Sequence, residues 1–222
     1  MIDQIYGDLK IEIAGESVWL LPERAAYWES RRTLLVADTH WGKAATMRAA
    51  SIPVPGGTTT GDLIRLTALL ERTGAQRLVL LGDAIHARQG RAVKTLAAVA
   101  EWRKRHSALS ILLVRGNHDR GAGDPPEELA IRCVDPPFVD LPFVFRHYPT
   151  ESAEGYTLAG HIHPAVKLHG AGKQRVTLPC FHFTPKFGVL PAFGALTGHA
   201  LVHPGAGDRV YAVAGDEVVA II

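Results

Sequence analysis

Three short apolar runs, Thr33 to Ala37, Arg77 to Leu81 and Ser110 to Val114, are rich in Leu and Val and carry the unbroken hydrophobicity of strands buried on both faces of a sheet. Between them the period changes. Leu63, Leu66, Leu69 and Leu70 form a stripe at helical spacing that stops at Gly74, and Ala92, Val93, Leu96, Ala97, Ala100 and Trp102 carry a second stripe into Arg103-Lys104-Arg105. Strand, helix, strand, helix, strand predicts a partly parallel sheet. Ahead of it, Leu9, Ile11 and Ile13 alternate with polar residues, and Val18 to Leu21 is apolar again after Gly15-Glu16, which predicts a hairpin over Leu9 to Leu21.

After Pro136-Pro137 the helical spacing disappears. Phe138 to Phe145, Tyr156 to Ala159, Ala165 to Leu168 and Arg175 to Leu178 read as short strands, and Arg209 to Ile222 as a closing hairpin around Gly215-Asp216. The expected fold class is α/β, two packed mixed β-sheets flanked by helices in a four-layer α/β/β/α sandwich. No Ser/Gly-rich linker or charge block divides the 222 residues, so a single domain over residues 1–222 is expected.

Composition, with 47% hydrophobic and 21% charged residues, is that of an ordinary globular protein, and no apolar run approaches the roughly 18 residues of a membrane span. Met1 to Ile13 alternates charged and apolar residues, unlike the basic and then apolar segments of a signal peptide. Cys133 and Cys180 are too few for a disulfide framework and read as inert core residues, in keeping with a reducing, cytoplasmic location and no membrane partner. A net charge of +2 does not by itself mark a nucleic-acid-binding surface.

The polar residues at the strand ends change the picture most. Asp38-Thr39-His40, Gly82-Asp83-Ala84-Ile85-His86 and Gly116-Asn117-His118-Asp119 directly follow the three α/β strands, at the edge where open sheets gather ligands. Gly160-His161-Ile162-His163-Pro164 follows a strand of the second half. In extended geometry Asp38 and His40, two residues apart, project to one side and suit one ion together. Asp83 has two oxygens with which to bridge two ions, with Gly82 allowing close backbone approach, and Asn117 offers an amide oxygen without charge. Gly160 permits a tight turn and Pro164 stiffens the exit, so His161 and His163 can be aimed at different ions. Asp119 is placed to hydrogen-bond and orient His118. Oxygen and imidazole donors without thiolate fit two divalent ions, manganese or iron, and do not exclude zinc. Two such ions, Asp38, Asp83 and a bridging hydroxide leave one positive charge, suited to a phosphodiester monoanion, and predict in-line attack on phosphorus by a metal-activated water.

In this order the clusters resemble the signature of the calcineurin-like metallophosphoesterases, Asp-x-His, Gly-Asp, Gly-Asn-His-Asp and Gly-His-x-His, over most of the chain. The resemblance implies that Asp38, His40 and His163 hold one ion, that Asn117, His147 and His161 hold the other, that Asp83 bridges them, and that His118 faces the leaving group as general acid. The flanking residues His40-Trp41-Gly42-Lys43, Gly82 to Arg88, and the stretch from Pro179 through Phe193-Gly194 are similar to the bacterial ligase-associated DNA-damage-response endonucleases. Thr39, Trp41 and Ile85 depart from the Leu, Leu and Phe of that group, and none of the three is a ligand. This likeness implies a manganese enzyme that cuts single-stranded DNA in repair, in functional association with a DNA ligase and a helicase.

His86 stands where the wider superfamily often has an acidic residue, and is expected either to meet substrate phosphate or to pack its loop. Lys43, Arg48, Arg88, Arg91 and Arg120 lie near the site loops, and Lys43 and Arg120 join His86 as candidate substrate contacts, set against the ordinary reading of solvated charge. Trp41 reads as packing, with base stacking as the alternative, and His106 as an exposed helix-end residue. The donor set equally admits a small nucleotide or a lipid-linked phosphodiester as substrate. A binding scaffold that kept the fold and lost the chemistry would have no need of His118 or a full ligand set.

Overall fold

A computed structural model describes residues 7–170, 172 and 174–222; the first six residues of the Met1 to Ile13 segment lie outside the described residues. Leu9–Ile13 (β1) and Glu16–Leu21 (β2) form the expected hairpin, and Ala25–Trp28 (β3), which the pattern does not mark, continues the meander into Thr33–Val36 (β4). The crossover from β4 holds two helices, Lys43–Ala49 (α1) and Thr58–Thr73 (α2), and leads to Arg77–Leu80 (β5). Val93–Arg105 (α3) precedes Ser110–Val114 (β6), and Asn117–Ala122 (α4) precedes Ile131–Val134 (β7). The seven strands lie in the order β1 to β7, antiparallel as far as β4 and parallel from there.

The alternation of side chains along the parallel strands explains their unbroken hydrophobicity. Leu34, Val36, Leu78, Leu80, Ile111 and Leu113 pack against the helices with Leu63, Leu66, Leu69, Val99 and Trp102. The residues between them, Leu35, Val79, Leu81, Leu112 and Val114, pack against the second sheet with Phe143, Phe145, Phe181 and Phe183.

That second sheet is built from Phe138–Asp140 (β8), Phe143–Phe145 (β9), Tyr156–Ala159 (β10), Pro164–His169 (β11), Arg175–Phe183 (β12), Phe187–Val189 (β13), Ala200–Leu201 (β14), Arg209–Ala214 (β15) and Glu217–Ala220 (β16). Its main path runs β14-β11-β12-β13-β10-β9-β8 in mixed directions, with the expected terminal hairpin β15-β16 branching from β12. The run Phe138 to Phe145 divides at Leu141-Pro142, where proline has no N–H for a ladder, and its halves pair as a hairpin.

Two packed mixed sheets flanked by helices are therefore present. The helices lie to one side: α2 and α3 bury their stripes on the first sheet, and among the described residues no α-helix follows α4. On the second sheet Val176 of β12 and Val219 of β16 are exposed. Trp28 and Trp102 are buried as expected, as is Cys180, while Cys133 is half-buried and both thiols are free. No helix is long and apolar enough to cross a membrane among the described residues.

Candidate metal centre

The loops that leave β4 and β5 are laced to each other by their backbones. His40 N–H donates to Asp83 O at 2.9 Å, Trp41 N–H to Ala84 O at 2.8 Å, and His86 N–H to Trp41 O at 3.1 Å. Asp119 fixes the second loop from below. Its carboxylate, 1% exposed, accepts from the N–H groups of Asp83 (2.7 Å), Ala84 (2.9 Å), Ile85 (3.3 Å) and Gly116 (2.8 Å). Asp119 is therefore the anchor of the Asp83 loop, and the expected pairing with His118 is not formed. On α4 successive side chains diverge by about 100°, so adjacency in sequence separates the two. His118 instead donates Nδ1–H to the carbonyl of His86 at 2.5 Å, which turns its Nε2 toward Asp83.

Asp38, His40, Asp83, His161 and His163 all have positive φ, between 46° and 72°. Asp38 and His40 thus converge through left-handed backbone rather than the extended geometry expected, a conformation that costs a non-glycine residue about 1–2 kcal/mol. Strain repeated at five candidate ligands points to a backbone shaped by a site. The motif glycines make room for it. A Cβ on Gly82, whose φ is +86°, would overlap the His147 ring; one on Gly116 would overlap the Asp83 carboxylate; one on Gly160 would lie 2.6 Å from Asp38 Oδ2. Gly160 is needed for space, while the turn it was expected to make is carried by His161 and His163.

The donor atoms gather in two groups, Asp38 with His40 and His163, and Asp83 with His147 and His161, each within 4.8 Å of one another. Asn117 joins the second group, its Oδ1 3.0 Å from His147 Nε2. Asp83 Oδ2 faces both, 3.3 Å from His147 Nε2 and 4.0 Å from His40 Nε2. Backbone carbonyls hold the rings: His147 Nδ1–H donates to Leu81 O at 3.0 Å and His163 Nδ1–H to Gly198 O at 3.1 Å, leaving each Nε2 for the group. Burial pushes His40 down to about 2 despite the Asp83 carboxylate beside it, so its ring is neutral and its lone pair free to ligate. His147 is fully buried, yet the carboxylates of Asp83 and Asp38 outweigh burial and raise its pKa. Asp38 Oδ1, buried and with no hydrogen-bond partner among the described residues, lies 3.5 Å from His163 Nε2. A buried, unpartnered carboxylate oxygen among imidazole lone pairs calls for a cation, and the donors fit the two divalent ions that the sequence implied.

His86 joins His40 and His118 as a third cluster, with its Nδ1 3.2 Å from His40 Nδ1 and its ring stacked on His118 at 4.6 Å. Burial, with Lys43 and His118, lowers its pKa to about 4. Lys43 opens α1, and burial lowers its pKa against the pull of Asp38 and Asp83. Arg120 is exposed and lies 3.7 Å from Asp135. Arg88 and Arg91 donate to carbonyls of Gly121, Gly123 and Asp124, bracing α4. Trp41 is 1% exposed and belongs to the core under the helices, so it stacks on no base. His106 is packed rather than exposed, bonded to Thr67 and against Trp102. Tyr148, 48% exposed, escaped the sequence reading; its ring lies 4.2 Å from that of His161, and only its place after His147 could have drawn notice.

Comparison with solved structures shows similarity to the nuclease MPE of Pseudomonas putida, 43% identical with a TM-score of 0.85, covering 96% of this chain and 100% of that one. The E. coli phosphoesterase Yfce is 14% identical over 84% of this chain and 96% of its own, with a TM-score of 0.43, and adds no argument. No curated protein sequence matches the chain. The calcineurin-like phosphoesterase profile matches residues 31–211, from just before β4 into β15, and so spans both sheets and both donor groups. By that match the chain belongs to the calcineurin-like phosphoesterases, and it is a phosphoester hydrolase.

Proposed function

We propose that the chain is a dinuclear metal-dependent endonuclease that hydrolyses single-stranded DNA in repair, in the cytoplasm, as one catalytic domain over residues 1–222. The observation that carries this reading is Asp83 Oδ2 set between two donor groups. The 43% identity to a nuclease over nearly the whole chain supports DNA as the substrate. The inter-sheet core, continuous across both halves, supports the single domain.

Asp38, His40 and His163 would hold one divalent ion, and Asn117, His147 and His161 the other, with Asp83 between them. Manganese is the proposed metal, and iron or zinc would meet the same donors. Bound there, two such ions supply Lewis-acid activation of the attacking water and neutralise the phosphate. The carbonyls of Leu81 and Gly198 fix the rings of His147 and His163, and Asp119 fixes the Asp83 loop, so the donors need not reorganise during the reaction. His118, held through Nδ1–H by the His86 carbonyl, acts as the imidazolium: it gives the second ring proton, on Nε2, to the leaving oxygen and is left as the neutral Nδ1–H ring. His86 and Lys43 border the same space and contact the phosphate. Arg120, exposed beside Asp135, contacts the strand outside it. Association with a DNA ligase and a helicase belongs to this reading through the likeness of the flanking sequence.

The test is cleavage of a single-stranded DNA circle by manganese-loaded protein, wild type against Asp83→Ala and His118→Ala. Loss of cleavage in both is expected, by about 100-fold or more for His118→Ala, with metal content retained in that variant. Unchanged cutting by either refutes its role, and turnover of small phosphodiesters with every DNA form intact would move the substrate to a small nucleotide.

A further inference from the structure

Helices α2 and α3 run back along the strands they connect, so both begin at the edge from which Asp38, Asp83 and Asn117 project. Between these two beginnings and α1 lies a cavity of about 460 Å³. Arg48 of α1, Thr58, Thr59 and Thr60 of α2, and Lys94 and Thr95 of α3 border it, two cations with no carboxylate among the lining. Helix α2 is 16 residues long and starts after Gly57 without a capping side chain, so its first N–H groups and the positive end of its dipole are open to an anion. No atom lies within 4 Å of where a Cβ on Gly56 or Gly57 would stand, which leaves the approach clear.

A separate observation points to a ligand. Thr95 is 9% exposed and borders the cavity, and its hydroxyl has no hydrogen-bond partner among the described residues. With the residue nine-tenths buried and bordering the cavity, an oxyanion held there would supply the acceptor that its hydroxyl lacks within the protein. The cavity also shares a loop with the metal centre: Gly42, two residues past His40, borders it and donates N–H to Thr59 Oγ1 at 3.1 Å.

We propose that this cavity is a second phosphate subsite, binding a backbone phosphate of the DNA strand next to the scissile one. The proposal rests on the nuclease reading above and deepens it. Arg48 and Lys94 neutralise the phosphate, and the amides that open α2 and the Thr95 hydroxyl donate to its oxygens. Free phosphate shares this chemistry, and the experiment separates the two sources.

Manganese-loaded wild type is compared with Arg48→Ala/Lys94→Ala and with Thr95→Val on a small synthetic phosphodiester and on single-stranded oligonucleotides of up to about 16 nucleotides. Salt is varied from about 50 to about 200 mM. The double variant should lose about tenfold in kcat/KM on the longest strand, with a log–log salt slope shallower by about 0.7 for one released phosphate. Turnover of the small diester should be unchanged, Thr95→Val should show the same selectivity in milder form, and Arg48→Lys/Lys94→Arg should restore the wild-type slope. Unchanged strand cleavage, or equal losses on strand and small diester, overturns the subsite. Cleavage independent of strand length, with inorganic phosphate saturating the cavity, assigns it to a free anion and overturns the strand assignment. Should wild type cut no DNA, the nuclease reading fails on its own, and amide shifts of Thr58 to Thr60 on adding inorganic phosphate then decide whether the anion site exists.

Discussion

Asp119→Asn tests whether one buried carboxylate organises the centre. In the wild type both oxygens are used, each facing two N–H groups: Oδ2 those of Asp83 and Gly116, Oδ1 those of Ala84 and Ile85. The amide keeps one acceptor and turns an N–H₂ toward the other pair, leaving two buried donors facing donors. At about 1–3 kcal/mol for each unsatisfied buried group, the loss is about 3 kcal/mol, with the surviving bonds weakened as well by removal of the charge. That is a large share of a typical domain stability of about 5–15 kcal/mol, yet leaves a folded protein. Urea denaturation of the metal-free protein reads it directly as a lower midpoint at constant slope. Manganese titration should show weaker binding, because the loop that moves carries Asp83. Asp124→Asn, which breaks only the surface pair with Arg115, is the control and should cost about 1 kcal/mol or less. If Asp119→Asn behaves like that control, the Asp83 loop is held by something other than this carboxylate and the reasoning is wrong.

Gly82→Ala forces a methyl into the His147 ring at a residue with φ of +86°, which should destabilise the protein by about 3 kcal/mol and lower the bound metal toward one ion per chain; elemental analysis giving two ions would count against it. Metal loading should raise Tm, since each ion present at about 100 times its Kd adds about 2.7 kcal/mol, and chelation should reverse the rise; a Tm indifferent to manganese contradicts the site. Asp62 is 4% exposed, and burial raises its pKa to about 6 although Arg65 lies 3.1 Å away. Its contribution to stability is therefore complete below the unfolded value near 3.8 and is lost as pH rises through about 6. The urea midpoint should fall over that window in wild type and not in Asp62→Asn, and parallel profiles would refute the assignment.

Much of the fold was legible because the three parallel strands are apolar on both faces and the helices between them have clean stripes. β3 and β7 were not: Ala25–Trp28 holds two alanines, and Ile131–Val134 interrupts its apolar residues with Arg132. α1 lacks a stripe, burying only Ala44. The candidate metal donors were legible as well, since all but His147 sit in short clusters at strand ends, and the structure brings those clusters together. What escaped the sequence is how they are held. Leu81 and Gly198 act through carbonyls, which every residue owns, and Asp119 acts across 36 positions on the backbone of another loop. Tyr148 reaches the site only because its strand ends there.

Each donor group is divided between the sheets, Asp38 and His40 against His163 in one, Asp83 against His147 and His161 in the other. Neither half of the chain, cut in the segment between α4 and β8, carries a complete set, so under the proposed assignment metal capture would be a logical AND of the two halves. Expressed as separate pieces, they should bind manganese tightly only when mixed, and the ions would then act as rivets across the inter-sheet core. Metal uptake would thereby serve as a readout of whether the two sheets have docked.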